Sequence, residues 1–255
     1  MSGLGLGTAV IWLSLLVLIP LAAVVAKAFG GGWSGFWHAV TRHQAVQALE
    51  LTVGSSLIVS LINAVMGTLL AWVLVRDSFP GKRLVEMVID LPFALPTIVA
   101  GLVLLAVYGN GSPIHLDLYA TQRGVAFALL FVTLPFVVRA VQPVLMALDT
   151  EAELAAACLG AGPVTVFRRI VLPLLLPAIV SGAGLGFARA MGEYGTVLLL
   201  SGGLAKAQVS SQYVYGQIQN YDYVGAAATA TVLLFISLAV LVGLDLLQRR
   251  AARRG

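Results

Sequence analysis

The sequence has 255 residues, of which 60% are hydrophobic and only 10% carry a charged side chain. Soluble domains have roughly 25% charged residues, which cover their surface in water. The composition therefore excludes an ordinary soluble protein and indicates one surrounded by lipid, and the 27 glycines suit closely packed membrane helices.

The net charge of +4 is concentrated at the C-terminus, in Arg249, Arg250, Arg253 and Arg254. This cluster follows a long apolar segment, so a cytoplasmic membrane anchor is preferred over a nucleic-acid site, and no nucleic-acid partner is expected. The lone Cys158 excludes an intrachain disulfide. The three histidines, His38, His43 and His115, are scattered in loops, so no metal site and no catalytic site are expected.

Six segments approach the roughly 20 apolar residues that cross a bilayer core. They are residues 7–28, 51–75, 88–108, 124–146, 170–191 and 225–247. The first is longer than the roughly 7–15-residue apolar core of a signal peptide and has no Lys or Arg before it, which predicts an uncleaved span. We expect an all-α integral membrane protein with six transmembrane helices in a single domain, residues 1–255.

The distribution of Lys and Arg predicts the orientation of these spans. With the N-terminus inside, nine basic residues are cytoplasmic, namely Arg76, Lys82, Arg83, Arg168, Arg169 and the four C-terminal arginines. The outer loops then hold four, namely Lys27, Arg42, Arg123 and Lys206. Both termini and the loop at 76–86 are therefore predicted to be cytoplasmic.

The third and fifth spans are the least regular. The third contains Pro92 and Pro96, and the fifth contains Pro173, Pro177 and three glycines. A broken helix is tolerated at membrane depth only where protein or a water-filled cavity satisfies its backbone. These two spans are therefore the candidates for a transport pathway.

The loop at 149–169, between the fourth and fifth spans, is predicted to form a helix, a turn and a second helix. Thr150 and Glu153 fit a capping box, and the alanines that follow favour a helix. Gly160, Gly162 and Pro163 are expected to end it. A second short helix, 164–169, then leads into the fifth span.

This loop resembles the cytoplasmic motif of ATP-binding-cassette (ABC) importer permeases, Glu-Ala-Ala-x-x-x-Gly, nine residues, then Ile-x-Leu-Pro. The matching positions here are Ala155, Ala156, Gly160, Ile170, Leu172 and Pro173. The sequence departs at the motif's Glu, since Leu154 occupies that place and Glu153 lies one position earlier. In the family this segment is the coupling helix, which docks on the ATPase. Glu153 is therefore a candidate either for the acidic contact or only for capping the helix.

The resemblance extends from about residue 50 to 248. Stretches 90–97, 133–143, 187–195 and 221–227 are similar to sulfate/thiosulfate permeases, above all to the T-type subunit, which pairs with a homologous W-type permease. Molybdate and tungstate permeases share the Ala-Arg-Ala-x-Gly-Glu pattern at 188–193, so they remain the alternative.

The resemblance implies a type I ABC importer permease in the cell membrane. Its expected partners are membrane lipid, a cytoplasmic ATPase dimer that binds ATP and Mg, the second permease and an extracytoplasmic sulfate-binding protein. The chain itself has no phosphate-binding Gly-x-x-x-x-Gly-Lys-Ser/Thr loop, so we expect it to hold no cofactor and to be no enzyme alone.

A dianion requires a polar route through the membrane, so charged residues within the spans are candidates for it. Such residues are energetically costly in lipid and are usually functional. Arg139 is a candidate, or it extends to the cytoplasmic interface. Arg189 and Glu193 are four residues apart on a helix, which favours mutual neutralisation and a gate-supporting role over anion contact. The pathway and gate candidates are Pro92, Pro96, Arg139, Arg189, Glu193 and Tyr194.

Two other classes compete with this interpretation. A secondary transporter would show internal repeats and acidic residues near span centres, but the sequence has no convincing repeat and only Glu193 near such a position. A membrane enzyme would require a Ser/His or metal-ligand set within the spans, and no histidine lies in one.

Overall fold

The structure is a computed structural model that describes the backbone of residues 3–113 and 115–252 and the side chains of 5–113 and 115–246. These residues are almost all helical, and no strand occurs among them. The helices are α1 (Gly3–Leu13), α2 (Ile19–Ala28), α3 (Gly32–Val40), α4 (His43–Arg76), α5 (Lys82–Ala94), α6 (Thr97–Tyr108), α7 (Gln122–Ala147), α8 (Thr150–Cys158), α9 (Pro163–Val166), α10 (Leu172–Met191), α11 (Gly195–Ser201), α12 (Ser210–Gln219) and α13 (Tyr223–Ala252). Ser14–Leu18 and Phe167–Val171 are π-helical turns, and Ala205–Ala207 is a 3₁₀ turn.

Five helical segments in the described part of the chain are long and apolar enough to cross a membrane. They are Gly5–Ala28, His43–Arg76, Gln122–Ala147, Pro163–Met191 and Tyr223–Leu246. The shorter apolar helix Thr97–Tyr108 is α6, which together with α5 takes the place of the predicted third span. The predicted all-α membrane fold is confirmed.

Two helices begin earlier than the predicted spans. Helix α4 starts at His43, eight residues before the predicted 51, and the fifth span is continuous from Pro163. With 34 residues, α4 is about 51 Å long at 1.5 Å per residue, well beyond the ~30 Å hydrocarbon core. Hydropathy finds the segment that lies in lipid, and the helix continues past it through polar residues.

The third span is broken at Pro96 and not at Pro92. Pro92 lies inside α5, which ends at Ala94. Leu95 is extended, with φ −84° and ψ 136°, as expected for a residue that precedes proline. Helix α6 then starts at Thr97, immediately after Pro96, so the second half of the span is a separate helix.

The described chain divides into two compact units. The first comprises the described residues through Leu51 together with Gln208–Ile236, and the second comprises Thr52–Ala207 and the described residues from Ser237 onward. That the whole chain acts as one transmembrane domain stays a prediction. In the first unit Phe36, Ala39 and Val40 of α3 pack with Ala28 and with Ala227 and Ala228 of α13.

The second unit holds the larger core, which α4, α5, α7 and α10 share. Its buried residues are Ala71, Leu74, Ile89, Val137, Val138, Val141, Leu145, Val171, Leu175 and Ile179. Helix α10 approaches α7 closely at Gly182, where an added Cβ would lie 2.8 Å from Val137 Cα. Across the α4–α7 contact, buried Asn63 donates to Thr133 Oγ1 (2.9 Å) and to the Leu130 carbonyl (3.1 Å), an interhelical bond typical of membrane bundles.

Candidate functional site

The loop after the fourth span begins with helix α8, which is capped by Asp149 and not by the predicted pair Thr150 and Glu153. Asp149 Oδ1 accepts a hydrogen bond from the Glu151 amide (2.9 Å), so Asp149 caps α8 and the predicted Thr150–Glu153 capping box is wrong. A carboxylate one residue before the helix satisfies the same free amides and also suits the helix dipole.

Helix α8 ends at Cys158, and Gly160, two residues later, stops it as predicted. The Gly160 amide donates to Ala157 O (2.9 Å) and the Ala161 amide to Ala156 O (3.0 Å), the two hydrogen bonds of a Schellman motif. Gly160 has φ +84°, a conformation that glycine adopts without the strain a side chain would bring. The chain then re-enters a helix at Pro163, which runs without interruption through the π-helical turn into α10.

Glu153 points toward the end of α4. Its carboxylate forms an ion pair with Arg76, the last residue of α4, and both side chains are about one-fifth exposed. The Arg76 guanidinium carbon lies 5.2 Å from the centre of the Trp72 ring, which meets the edge of Phe167 at 5.4 Å. These four residues, hereafter the brace, join α8 and the start of the fifth span to the end of α4.

The solvent-exposed side of the loop presents small and apolar side chains. Leu154, which occupies the place of the motif's Glu, is 64% exposed, and Leu159 and Val164 are exposed as well. Ala155 is exposed and Ala156 half-buried, while Ile170, Leu172 and Pro173 lie in the helix that continues into the fifth span. Such a surface suits close contact with another protein better than contact with water.

A second ion pair lies on α5 and α7. Arg139 Nε donates to Asp90 Oδ1 (2.8 Å), Nη2 pairs with Asp90 Oδ2, and Nη1 donates to Gln142 Oε1 (2.7 Å). The sequence left pathway contact or extension to the interface open for Arg139, and the structure instead pairs it in a bidentate fork. Arg139 and Asp90 are 38% and 43% exposed in the isolated chain, although both lie within segments predicted to span the membrane.

The third ion pair is the predicted one. Arg189 Nη1 lies 2.7 Å from Glu193 Oε2, and Glu193 is only 1% exposed. Helix α10 ends at Met191, so the helix break expected after Gly192 is confirmed. Glu193 has a second role that the sequence did not reveal, because its Oε1 accepts from the Thr196 amide (2.9 Å) in the first turn of α11. Tyr194 is the residue immediately before α11.

The breaks in the third and fifth spans pack against each other. Thr196 Oγ1 donates to the Thr97 carbonyl (3.0 Å), which joins the starts of α11 and α6. A Cβ at Gly195 would lie 2.9 Å from the Ile98 nitrogen, so only glycine fits at this contact. The two spans chosen from the sequence as irregular thus meet at their irregular points. Pro96 directly precedes Thr97 of this contact, whereas Pro92 lies inside α5.

A fourth ion pair lies in the first unit, just outside the membrane-spanning helices. Arg42 Nη1 is 2.8 Å from Asp222 Oδ2, and Asp222 Oδ1 accepts from the Gly225 amide (2.8 Å). The Gly225 hydrogen bond first, and Arg42 next, lower the pKa of Asp222 below its ordinary value. The hydrogen bond to Asp222 raises the pKa of Arg42.

Sequence reasoning missed Asp90, Arg76 and Trp72 as partners. Asp90 was detectable, because an arginine within a membrane requires an acid. Asp90 lies at the end of its span that is predicted to be cytoplasmic, and Arg139 lies about two turns from the corresponding end of the next span. Arg76 carried no comparable signal, since a basic residue at the cytoplasmic end of a span is ordinary. In the described part of the chain no group of three or more His, Cys, Asp or Glu is placed to hold a metal ion.

The chain has several apolar helices, one of them broken at Pro96, and a loop whose motif residues have the spacing found in ABC importer permeases. These features define a multi-pass membrane permease of the ABC importer class. Residues 63–254 match the family described as "Binding-protein-dependent transport system inner membrane component". The chain belongs to this family, within the group of sulfate transport system permeases.

Three relatives illustrate this group. Proteins named "Sulfate transport system permease protein CysT" from Salmonella typhimurium and Escherichia coli are each 41% identical, with 98% of this chain and 94% of the relative covered. The protein of that name from Synechocystis is 42% identical over 96% of this chain and 88% of its own length.

Solved structures share the fold at low identity. A bacterial ABC transporter involved in the import of the acidic polysaccharide alginate gives a TM-score of 0.79 at 17% identity, with 95% of this chain and 93% of that chain covered. The methionine transporter MetNI, in an inward-facing conformation, gives 0.63 at 17% identity over 81% and 95% of the two chains. The architecture is therefore that of ABC importer permeases.

Proposed function

We propose that this chain is the T-type permease subunit of an ATP-driven importer that moves sulfate or thiosulfate into the cytoplasm. The observation that carries the proposal is the 41% identity to sulfate transport permeases over 98% of the chain. An identity at this level over 98% of the chain supports a shared substrate as well as a shared fold. The structural neighbours at 17% identity support the architecture alone.

The ATPase is proposed to be a separate chain, present as a dimer that binds ATP and Mg and docks on α8. Support comes from the surface of the loop, where Leu154, Leu159 and Val164 present apolar side chains beside small alanines. Because Glu153 is paired with Arg76, the proposed contact rests on apolar packing, and Glu153 positions the helix. No acidic contact to the ATPase is required of it.

A second, W-type permease is the proposed neighbour of the α5–α7 face. The Arg139–Asp90 pair is about 40% exposed in the isolated chain, and exposing such a pair to hydrocarbon costs several kcal/mol per charge. Another protein, or a water-filled route between two permeases, removes that cost. An extracytoplasmic sulfate-binding protein is proposed to deliver the anion, and the complex is proposed to lie in the cell membrane with both termini cytoplasmic.

Anion competition tests the transported substrate. The chain, reconstituted with its ATPase, second permease and sulfate-binding protein, is supplied with labelled sulfate and an excess of thiosulfate, molybdate or tungstate. Uptake that requires ATP and that falls with thiosulfate but not with the two metal oxyanions supports the proposal. Uptake of molybdate or tungstate in preference to sulfate assigns the chain to the alternative substrate. Uptake without the ATPase would make it a secondary transporter.

The single cysteine offers a test of orientation and docking, since Cys158 is exposed at the end of α8. An impermeant thiol reagent should label Cys158 in inside-out vesicles and not in intact cells. Addition of the ATPase should then protect it. The matched control carries Cys158→Ser with Ser34→Cys, at an exposed position of α3, and should label from outside only. Labelling of Cys158 in intact cells would contradict the orientation, and lack of protection would contradict docking on α8.

A further inference from the structure

Helix α3 is a short helix whose sides have three different environments. Phe36, Ala39 and Val40 are buried against α2 and α13. At about 100° per residue, Trp33 and Trp37 lie beside this buried side, and Ser34 and His38 lie further round. Trp33 and Trp37 are 69% and 58% exposed. A helix with a protein side, an aromatic side and a polar side has the arrangement of helices that lie in a membrane interface.

The aromatic side extends beyond α3 to Phe29, and a second aromatic pair lies at the same end of the first unit. Phe29 stacks on Trp33 with ring centres 5.8 Å apart and planes at 5°, and Trp33 stacks on Trp37 at 6.1 Å and 8°. At the start of α13, Tyr221 and Tyr223 form an edge-to-face pair and are exposed. Val224 lies next to Gly30 and Gly31, which places the two groups at the same end of the first unit. We call Phe29, Trp33, Trp37, Tyr221 and Tyr223 the aromatic belt.

Short connections hold the aromatic belt close to the ends of two membrane spans, which restricts the kinds of molecule that can contact it. The helix Gly5–Ala28 has no residue buried within its most apolar window, so the apolar surface that leads to the belt must lie in lipid. Only three residues separate Ala28 from Gly32, and two separate Val40 from His43, where the next span begins. At about 3.5 Å per extended residue, α3 cannot move more than roughly 10 Å from the ends of these spans.

We propose that the aromatic belt lies in the lipid–water interface at this end of the spans and that α3 is an interfacial anchor that lies on the bilayer. Trp and Tyr favour this depth because their rings are apolar while their N–H and O–H groups remain hydrated. Lys27 in the last turn of α2 and Arg42 beside His43 place cationic groups at the same level, near lipid phosphates. The continuity of the belt with the lipid-facing helix Gly5–Ala28 selects lipid over a soluble partner as its occupant.

Depth-dependent fluorescence quenching tests the proposal. The chain has four tryptophans, Trp12, Trp33, Trp37 and Trp72. Full-length variants that retain one tryptophan, with Phe at the other three positions, are reconstituted in phosphatidylcholine vesicles. The lipid carries bromine near the headgroup or near the chain end, and iodide serves as the aqueous quencher. Far-ultraviolet circular dichroism at wild-type intensity establishes that each variant is folded.

The expected result is that Trp33 and Trp37 lose more emission to shallow bromine than to deep bromine. The control is a variant whose single tryptophan replaces Leu18, with Phe at all four native tryptophans. Leu18 is 53% exposed and lies about 15 Å along the helix from Ala28, half of the ~30 Å core, so deep bromine should quench this tryptophan more. Quenching of Trp33 and Trp37 by iodide alone would overturn the proposal in favour of a surface for a soluble protein. A deep profile like that of the Leu18→Trp variant, or protection from all three quenchers, would also overturn it.

Discussion

Glu153 of α8 is paired with Arg76 at the end of α4, so the acid of the loop at 149–169 is neutralised within the chain. Arg76 in turn lies over Trp72, and Trp72 meets the edge of Phe167, where the chain re-enters the fifth span. A displacement of α8 is therefore resisted by contacts with two spans at once. This arrangement suits a loop that must transmit movement without deforming.

We predict that Arg76→Ala uncouples ATP hydrolysis from transport. The change leaves the Glu153 carboxylate, four-fifths buried, without its counter-charge, which costs between the ~1 kcal/mol of a surface pair and the ~3–5 kcal/mol of a buried one. Helix α8 should loosen while its outward face still binds the ATPase. Hydrolysis and anion uptake, measured in the same vesicles, should show fewer anions moved per ATP.

The charge-reversed double variant, Arg76→Glu with Glu153→Arg, is the test of the pair itself. It should recover part of the lost coupling, because it restores an attraction between opposite charges at positions 76 and 153. Arg83→Ala, at an exposed arginine of α5, is the matched control and should leave the ratio unchanged. A wild-type ratio in Arg76→Ala would show that the brace does not contribute to coupling.

A second prediction concerns Gly160, where the backbone strain caused by a side chain can be separated from the effect of the side chain's size. An added Cβ meets nothing within 4 Å, but φ is +84°, so any side chain adds about 1–2 kcal/mol of strain, while the Cβ itself adds no clash. Gly160→Ala should lower stability slightly and keep transport. Gly160→Trp carries the same strain and should abolish transport, because the indole occupies the proposed docking surface.

Uptake at matched membrane abundance, together with binding of the ATPase to each variant, separates the two effects. Gly162→Trp supplies a second comparison, since Gly162 has an ordinary φ of −70° and open space around it. Equal uptake by Gly160→Ala and Gly160→Trp would argue that nothing docks at this turn.

The sequence predicts well those features that depend on composition and on single residues. Apolar length located the spans, Gly160 ended α8, and Gly192 marked the break in the fifth span. The helix ends were less accessible, because α4 continues eight residues beyond its apolar segment as a polar helix. Helix α3 was missed for a related reason, since its nine residues are too few to give a clear periodic pattern.

Contacts between distant segments were the least predictable part. Arg139 was identified as an intramembrane charge, but its neutralisation by Asp90 depends on how α5 packs on α7. Glu153 was left between an ATPase contact and a local cap, because capping rules use only sequence spacing, whereas its partner in the structure is 77 residues away. The contact of Thr97 with Thr196 likewise joins positions that only the fold brings together.

The Arg42–Asp222 pair predicts an acid-dependent loss of stability. The folded pKa of Asp222 is lowered, so its contribution is complete above the unfolded pKa of about 3.9 and is lost as the pH falls through the folded pKa. The raised pKa of Arg42 leaves it charged throughout this range. Because the pair is partly exposed, the effect should be about 1 kcal/mol or less.

Thermal unfolding of the detergent-solubilised chain from pH 7 to pH 3 would measure this contribution. Asp222→Asn keeps an oxygen that accepts from the Gly225 amide but removes the charge. It should unfold at a lower temperature than wild type at pH 7, and the difference should shrink as the pH approaches 3. A difference that is constant over the whole range would exclude ionisation of Asp222 as its cause.

The last prediction concerns Arg189 and Glu193, which hold the break at the end of α10. Glu193 is 1% exposed and serves two partners, the Arg189 guanidinium at 2.7 Å and the Thr196 amide at 2.9 Å. Arg189→Ala removes the Arg189 counter-charge from this buried carboxylate, and breaking a buried pair typically costs ~3–5 kcal/mol. We expect this variant to lose most transport and to unfold at a clearly lower temperature.

Combining Arg189→Ala with Glu193→Gln should recover both properties in part. The glutamine carries no charge, and its carbonyl oxygen still accepts from Thr196, so the first turn of α11 keeps its cap. Arg189→Ala with Glu193→Ala removes the cap as well and should recover less, which makes it the matched control for the hydrogen bond. If instead Arg189 contacts the transported anion, both double variants will regain stability without regaining uptake. Thermal midpoints and uptake rates, compared across the three variants at equal abundance, distinguish a structural ion pair from a substrate contact.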